Sequence, residues 1–167
     1  MKTLTQPLRD EHKELIPHIE QIRQVADSIP EAPLEQIRAG VNEVYEFLAY
    51  HLIPHAQAED AALYPAVQKV LGSPDATRTM SRDHVEVGRY IEELATLQLQ
   101  QELSPQNFKP LQRGLYGLYA LVKVHFAKEE EVYLPILEER LSPDEAAEMF
   151  EAMESAANHA KHAVHTH

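Results

Sequence analysis

The chain states one pattern twice. Residues 51–67 read HLIPHAQAEDAALYPAV, and residues 121–137 read LVKVHFAKEEEVYLPIL. A shift of 70 positions lays His55 on His125, Glu59 on Glu129 and Pro65 on Pro135. Each copy also follows a lone histidine that stands behind an acidic residue: Glu11-His12 lies 43 positions before His55, and Asp83-His84 lies 41 before His125. Residues four apart share one side of a helix, so each H-x-x-x-E delivers an imidazole and a carboxylate into the same space. A unit of this length seen twice is a duplication, not a solenoid. The pattern therefore predicts two matching halves around one shared centre.

Helical signals fill the rest of the chain: glycine is scarce, at five, and apolar residues recur at threes and fours. A first segment, Thr5 to Ile29, places Leu8, His12, Leu15, Ile16, Ile19 and Ile22 on one stripe, with Pro17 expected to kink or split it. A second runs from Leu34 to Leu71, with bends expected near Pro54 and Pro65 and a stop at Gly72-Ser73-Pro74. A third, Asp75 to Glu102, carries Met80, His84, Val87, Ile91 and Leu94 or Ala95 on one face. A fourth, Phe108 to Arg140, shares a face among Leu111, Leu115, Leu118, Leu121, Val122, His125, Glu129 and Val132. Ser142-Pro143-Asp144-Glu145 is a helix-start signature for a fifth, Pro143 to Ala157. The expected fold is all-α: an up-down-up-down four-helix bundle with an extra C-terminal helix docked outside it or at its end. Residues 1–167 read as one domain, with 143–167 an accessory helix and histidine-rich tail.

Composition narrows the function. A net charge of −12 repels phosphate backbones and anionic membrane surfaces, which argues against nucleic acid and membrane as partners. No cysteine is present, so thiolate metal sites, iron–sulfur clusters and thiol nucleophiles are excluded. No apolar run approaches the ~18 residues of a membrane span, and the N-terminus lacks a signal-peptide core, so a cytoplasmic location is expected. Ten histidines are the one oddity, four of them in the tail (His159, His162, His165, His167).

His12 and His84 sit on the apolar stripes of their helices, so four inward faces bring His12, His55, His84, His125, Glu59 and Glu129 toward one centre. Buried carboxylates without lysine or arginine on the same faces need a positive partner. Two cations bridged by the two glutamates supply it, and three protein ligands each leave positions for a bridging oxygen and an exogenous ligand. Imidazole with carboxylate suits iron best among redox metals; manganese and zinc are chemically permitted. With 21 glutamates in 167 residues, one H-x-x-x-E carries little weight; the shared register carries the inference. The ferritin-like alternative needs Glu-x-x-His, and no histidine here has glutamate three before it.

The pattern His12, His55-x-x-x-Glu59, His84, His125-x-x-x-Glu129, with trailing LYP and YLP, resembles the hemerythrin-like, HHE cation-binding proteins over about residues 5–140. The resemblance implies an oxo- or hydroxo-bridged centre of two iron ions with Glu59 and Glu129 as bridging ligands. Oxygen-carrying members have five histidines with an H-x-x-x-H pair, whereas Gly88 stands four after His84 here. The iron–sulfur-repair branch carries an N-terminal cysteine that this chain lacks. What remains resembles bacterial H-HxxxE-H-HxxxE members, for which a small ligand (hydrogen peroxide, O2 or NO) and catalase- or peroxidase-like chemistry are implied. The alternative is sensing, storage or carriage of O2, NO or iron without turnover.

Other residues carry weaker expectations. His51 has Leu121 as its counterpart and is a candidate fifth histidine at the site or an orienting donor. Among Tyr45, Tyr50, Tyr64 and Tyr133, the last stands one turn after Glu129 and is the favoured phenol. Gly88, Gly114 and Gly117 read as close helix packing or as entry points for a small molecule, and His18 as solvated.

Overall fold

The computed structural model describes residues 3–99 and 103–164. Five long helices account for nearly all of them: α1 (Gln6–Ser28), α2 (residues 34–71), α3 (Arg78–Leu99), α4 (residues 108–140) and α5 (Pro143–Val164). No strand occurs among the described residues. The expected bounds of α4 are met, α5 extends beyond Ala157, and the stretch 100–102 of the third expected segment lies outside the described residues.

Helices α1 to α4 form a helical bundle in which α1 packs on α2 and α4, and α3 on α2 and α4. Helix α5 lies across residues 48–63 of α2. Its start is a capping box: Ser142 Oγ accepts from the Glu145 backbone N–H, and the Glu145 carboxylate accepts from Ser142 N–H and Oγ–H. The end of α2 is set by Gly72, whose φ of 65° is the left-handed conformation that ends a helix at little steric cost when the residue is glycine.

Prolines do not divide these helices. Helix α1 runs unbroken through Pro17, so of the expected kink or split the split does not occur; Pro17 and Lys13, whose carbonyl loses its usual donor, are both solvent-exposed. In α2 and α4 each proline beyond the first turn follows a π-helical turn: Leu48–Leu52 before Pro54, Glu59–Leu63 before Pro65, and Glu129–Tyr133 before Pro135. The residue ahead of each proline donates its N–H five back, Ile53 to Leu48, Tyr64 to Glu59 and Leu134 to Glu129. One extra residue in the turn spares the proline a bond it cannot make.

That extra residue also shifts the inward face. Along α4 the buried positions run Leu111, Leu115, Leu118, Val122, His125, Glu129, then step by five to Leu134 and on to Leu137. Val132, expected inside, is therefore 49% exposed. Ile16 is likewise turned outward.

The apolar core falls into two clusters. One holds Leu15, Ile19, Ile22, Val44, Leu48, Leu52, Val87, Ile91, Leu118, Val122 and Phe126 among others. The second holds Leu8, Ala58, Ala62, Leu63, Tyr64, Val67, Met80, Leu134, Leu137 and the α5 residues Ala146, Met149 and Met153. In all four bundle helices the chain passes from one cluster to the other through a short polar layer. That layer holds the candidate site.

Candidate metal centre

Each polar side chain of the layer is set by its helix register. His12 stands between buried Leu8 and Leu15 on α1, and His84 between Met80 and Val87 on α3. His55 and Glu59 face inward together on α2, as do His125 and Glu129 on α4, because each pair is one turn apart. The structure thus brings all six expected residues together. His12, His55, His125 and both glutamates are buried, the glutamates fully, and His84 sits at the rim with a tenth of its side chain exposed.

The donors sort into two overlapping groups, His12, His55, Glu59, Glu129 and Glu59, His84, His125, Glu129. Glu59 Oε1 lies 3.0 Å from His55 Nε2 and 3.7 Å from His12 Nε2, while its Oε2 lies 3.2 Å from His84 Nε2 and 3.9 Å from His125 Nε2. Glu129 splits the same way: Oε2 is 3.4 Å from His12 Nε2, and Oε1 is 3.2 Å from His125 Nε2. Donors about 2.1 Å from one ion stand roughly 3 Å apart at right angles, so these separations are those of ligands sharing a cation. His12 Nε2, His55 Nε2, both Glu59 oxygens and Glu129 Oε2 are buried without a hydrogen-bond partner. Buried polar atoms left so are costly, and five of them converging on one layer fit a cation.

Without a cation, protons take up part of the charge. Burial pulls His55 down, but the Glu59 and Glu11 carboxylates outweigh it and hold its pKa well above the ordinary value. His125 is pushed up to about 10 by Glu129 and Glu59 against the same burial. Burial raises Glu59, but His55, His12 and His125 outweigh it and hold it well below the usual carboxylate range. Burial and the neighbouring Glu59 charge raise Glu129. One carboxylate is thereby held ionised while its partner resists ionising, as like charges in a dry layer require.

An outer set of carboxylates meets the far side of each imidazole. His12 Nδ1 is 2.7 Å from Glu130 Oε1, His84 Nδ1 is 2.7 Å from Asp60 Oδ2, and His125 Nδ1 is 3.0 Å from Asp83 Oδ2. His55 Nδ1 is 3.1 Å from Glu11 Oε1, close enough to pair but off the hydrogen-bond direction. Arg9 pairs with Glu130, and Lys128 with Asp83.

Tyr64 is the residue that sequence reasoning set aside. Its hydroxyl donates to Glu129 Oε1 at 2.7 Å and lies 3.3 Å and 3.2 Å from Nε2 of His84 and His125. Burial first, then Glu59 and Glu129, raise its pKa far above that of a free phenol, so it stays protonated. Tyr133, the favoured phenol, instead donates to the Ala76 carbonyl. The π turns explain the exchange: after each glutamate the inward position is five on, which is Tyr64 in the first copy and Leu134 in the second. The mid-helix proline six after each glutamate was the available signal.

The other candidates lie elsewhere. His51 is exposed and stacks on Phe47, in neither donor group. His18, exposed as expected, stacks on the same ring. Tyr50 is 39% exposed. Gly117 gives room to the Tyr90 side chain, whereas Gly88 and Gly114 border open space. His159 pairs with the Ser155 carbonyl, and His165 and His167 lie outside the described residues.

The family model of the hemerythrin HHE cation-binding domain matches residues 3–137, a span that includes all six donors and Tyr64 and ends before α5. No curated protein and no solved structure matches the chain significantly.

Proposed function

Given that the chain belongs to the hemerythrin HHE cation-binding family, we propose that it holds two iron ions, one at His12 and His55 and one at His84 and His125, with Glu59 and Glu129 shared between them. The division of each carboxylate's oxygens between the two histidine pairs carries this reading. An iron pair bound there supplies redox chemistry toward a small oxidant: hydrogen peroxide, O2 or NO.

The chain's own residues favour hydrogen peroxide and catalase- or peroxidase-like turnover. Apolar clusters above and below the layer exclude bulk water, which admits small uncharged molecules and strengthens every electrostatic contact inside. A cleft of about 410 Å³ between α1 and α4, walled by Ile16, Phe126 and His12, approaches the His12 side. The Tyr64 O–H donates into the layer, to Glu129 Oε1, and keeps its proton, so it would serve an oxygen species held there as a hydrogen-bond donor. Non-catalytic sensing, storage or carriage of O2, NO or iron is the second reading; full burial of both carboxylates favours it, because such a layer exchanges its contents slowly.

Elemental analysis with an absorption spectrum tests the metal, and oxygen evolution from peroxide tests the turnover. Two irons per chain with steady peroxide consumption are expected. Two irons with a spectrum that changes reversibly on adding and removing gas, and no net consumption, assign the carrier or sensor reading. Substoichiometric metal refutes both.

A further inference from the structure

The four outer carboxylates follow a rule that the inner donors do not need. Each is a sequence neighbour of an inner residue: Glu11 of His12, Asp60 of Glu59, Asp83 of His84, and Glu130 of Glu129. None serves its own helix. Glu11 of α1 meets His55 of α2, Asp60 of α2 meets His84 of α3, Asp83 of α3 meets His125 of α4, and Glu130 of α4 meets His12 of α1. The contacts close into one ring around the bundle, in chain order. Adjacent residues on a helix lie about 100° apart, so a neighbour of an inward residue faces the next helix rather than the axis.

Chemistry gives the ring a task. An ionised carboxylate only accepts hydrogen bonds, so Glu130, Asp60 and Asp83 fix the proton on Nδ1 of His12, His84 and His125 and leave the Nε2 lone pair pointing inward, while Glu11 faces His55 Nδ1 at 3.1 Å as an ion-pair partner. Arg9 on Glu130, Ser81 on Asp60 at 2.7 Å and Lys128 on Asp83 anchor the carboxylates from outside. We infer that Glu11, Asp60, Asp83 and Glu130 are positioning residues, a closed interhelix ring that orients all four imidazoles for the cations they face. The inference rests on the metal reading above and goes beyond it in assigning work to residues that touch no cation.

The test is a competition titration of Zn(II) against a chromophoric chelator, on full-length protein, with circular dichroism to confirm folding. Histidine ¹⁵N shifts of the zinc-loaded protein read which ring nitrogen binds. Glu11→Ala, Asp60→Ala, Asp83→Ala and Glu130→Ala should each weaken binding about 10- to 100-fold. The Glu11→Ala/Glu130→Ala pair should weaken the His12–His55 side, and Asp60→Ala/Asp83→Ala the other. Glu11→Gln, Asp60→Asn, Asp83→Asn and Glu130→Gln keep an acceptor oxygen and should recover most of the loss; they also serve where an alanine variant fails to fold. Asp10→Ala and Glu131→Ala, exposed acids one position along, should bind like the unmodified chain. Alanine variants within twofold of the parent, amide variants as weak as alanine, or controls that lose as much would overturn the ring. Failure of the unmodified chain to bind metal would instead overturn the metal reading.

Discussion

Glu59→Gln is the most exacting perturbation of this site. Both Glu59 oxygens are fully buried, unpartnered, and split between the two histidine pairs, so the change removes the charge that both cation positions share while conserving volume. Five inward atoms lack partners without a cation. At about 1–3 kcal/mol for each unsatisfied buried group, the gross penalty is on the order of 10 kcal/mol, reduced where His55 and His125 take up protons. Ligand linkage sets the observable part: about 2.7 kcal/mol per site at metal one hundred times its Kd, or roughly 5 kcal/mol for two sites. For a chain of this size that shifts Tm by about 10–20 °C. Scanning calorimetry of iron-loaded and chelated protein should show this gap in the parent. In Glu59→Gln it should fall by at least half, with elemental analysis showing no more than one metal per chain. Equal melting temperatures with and without chelator, or a Gln variant that keeps two metals and the full gap, would refute the shared-carboxylate reasoning.

The pH dependence has a fixed sign. His55 and His125 are raised in the metal-free fold, the latter to about 10. They therefore stabilise that fold fully below their unfolded value of about 6.5, and the contribution is lost as pH rises through the folded values. Cation binding needs the same nitrogens free of protons, so the Tm gain from metal should widen from about pH 6 to about pH 9; a narrowing gain would contradict the donor assignment. Tyr64→Phe should alter the absorption of the iron-loaded protein and slow peroxide turnover by about tenfold or more. Tyr133→Phe loses a bond to the Ala76 carbonyl, at about 1 kcal/mol in denaturant melts, with the spectrum unchanged. His51→Ala should retain full metal stoichiometry, since His51 stacks on Phe47 away from the layer; loss of a metal would restore it as a ligand.

Much of the site was legible because its information is periodic. His12, His55, Glu59, His84, His125 and Glu129 lie on apolar stripes that must face inward, and the 70-residue register pairs them before any coordinates exist. What misled was the assumption of uninterrupted α-helix. With 3.6 residues per turn, Val132 and Tyr133 belong inside; with a π turn at Glu129–Tyr133 they rotate away and Leu134 replaces them. The same rotation at Glu59–Leu63 brings in Tyr64. The difference between LYP and YLP is the chemical asymmetry of the centre, rather than His51 against Leu121.

The sequence by itself determined the helical class, the register of the two halves and the six inward donors, because helix periodicity and burial are local consequences of residue order. Tertiary structure alone decided which carboxylate meets which imidazole. Glu11, Asp60, Asp83 and Glu130 were visible as acids beside site residues, but each acts on a neighbouring helix. Pairing between helices depends on their packing and on the π turns' rotation of each face, which no count along one chain segment contains.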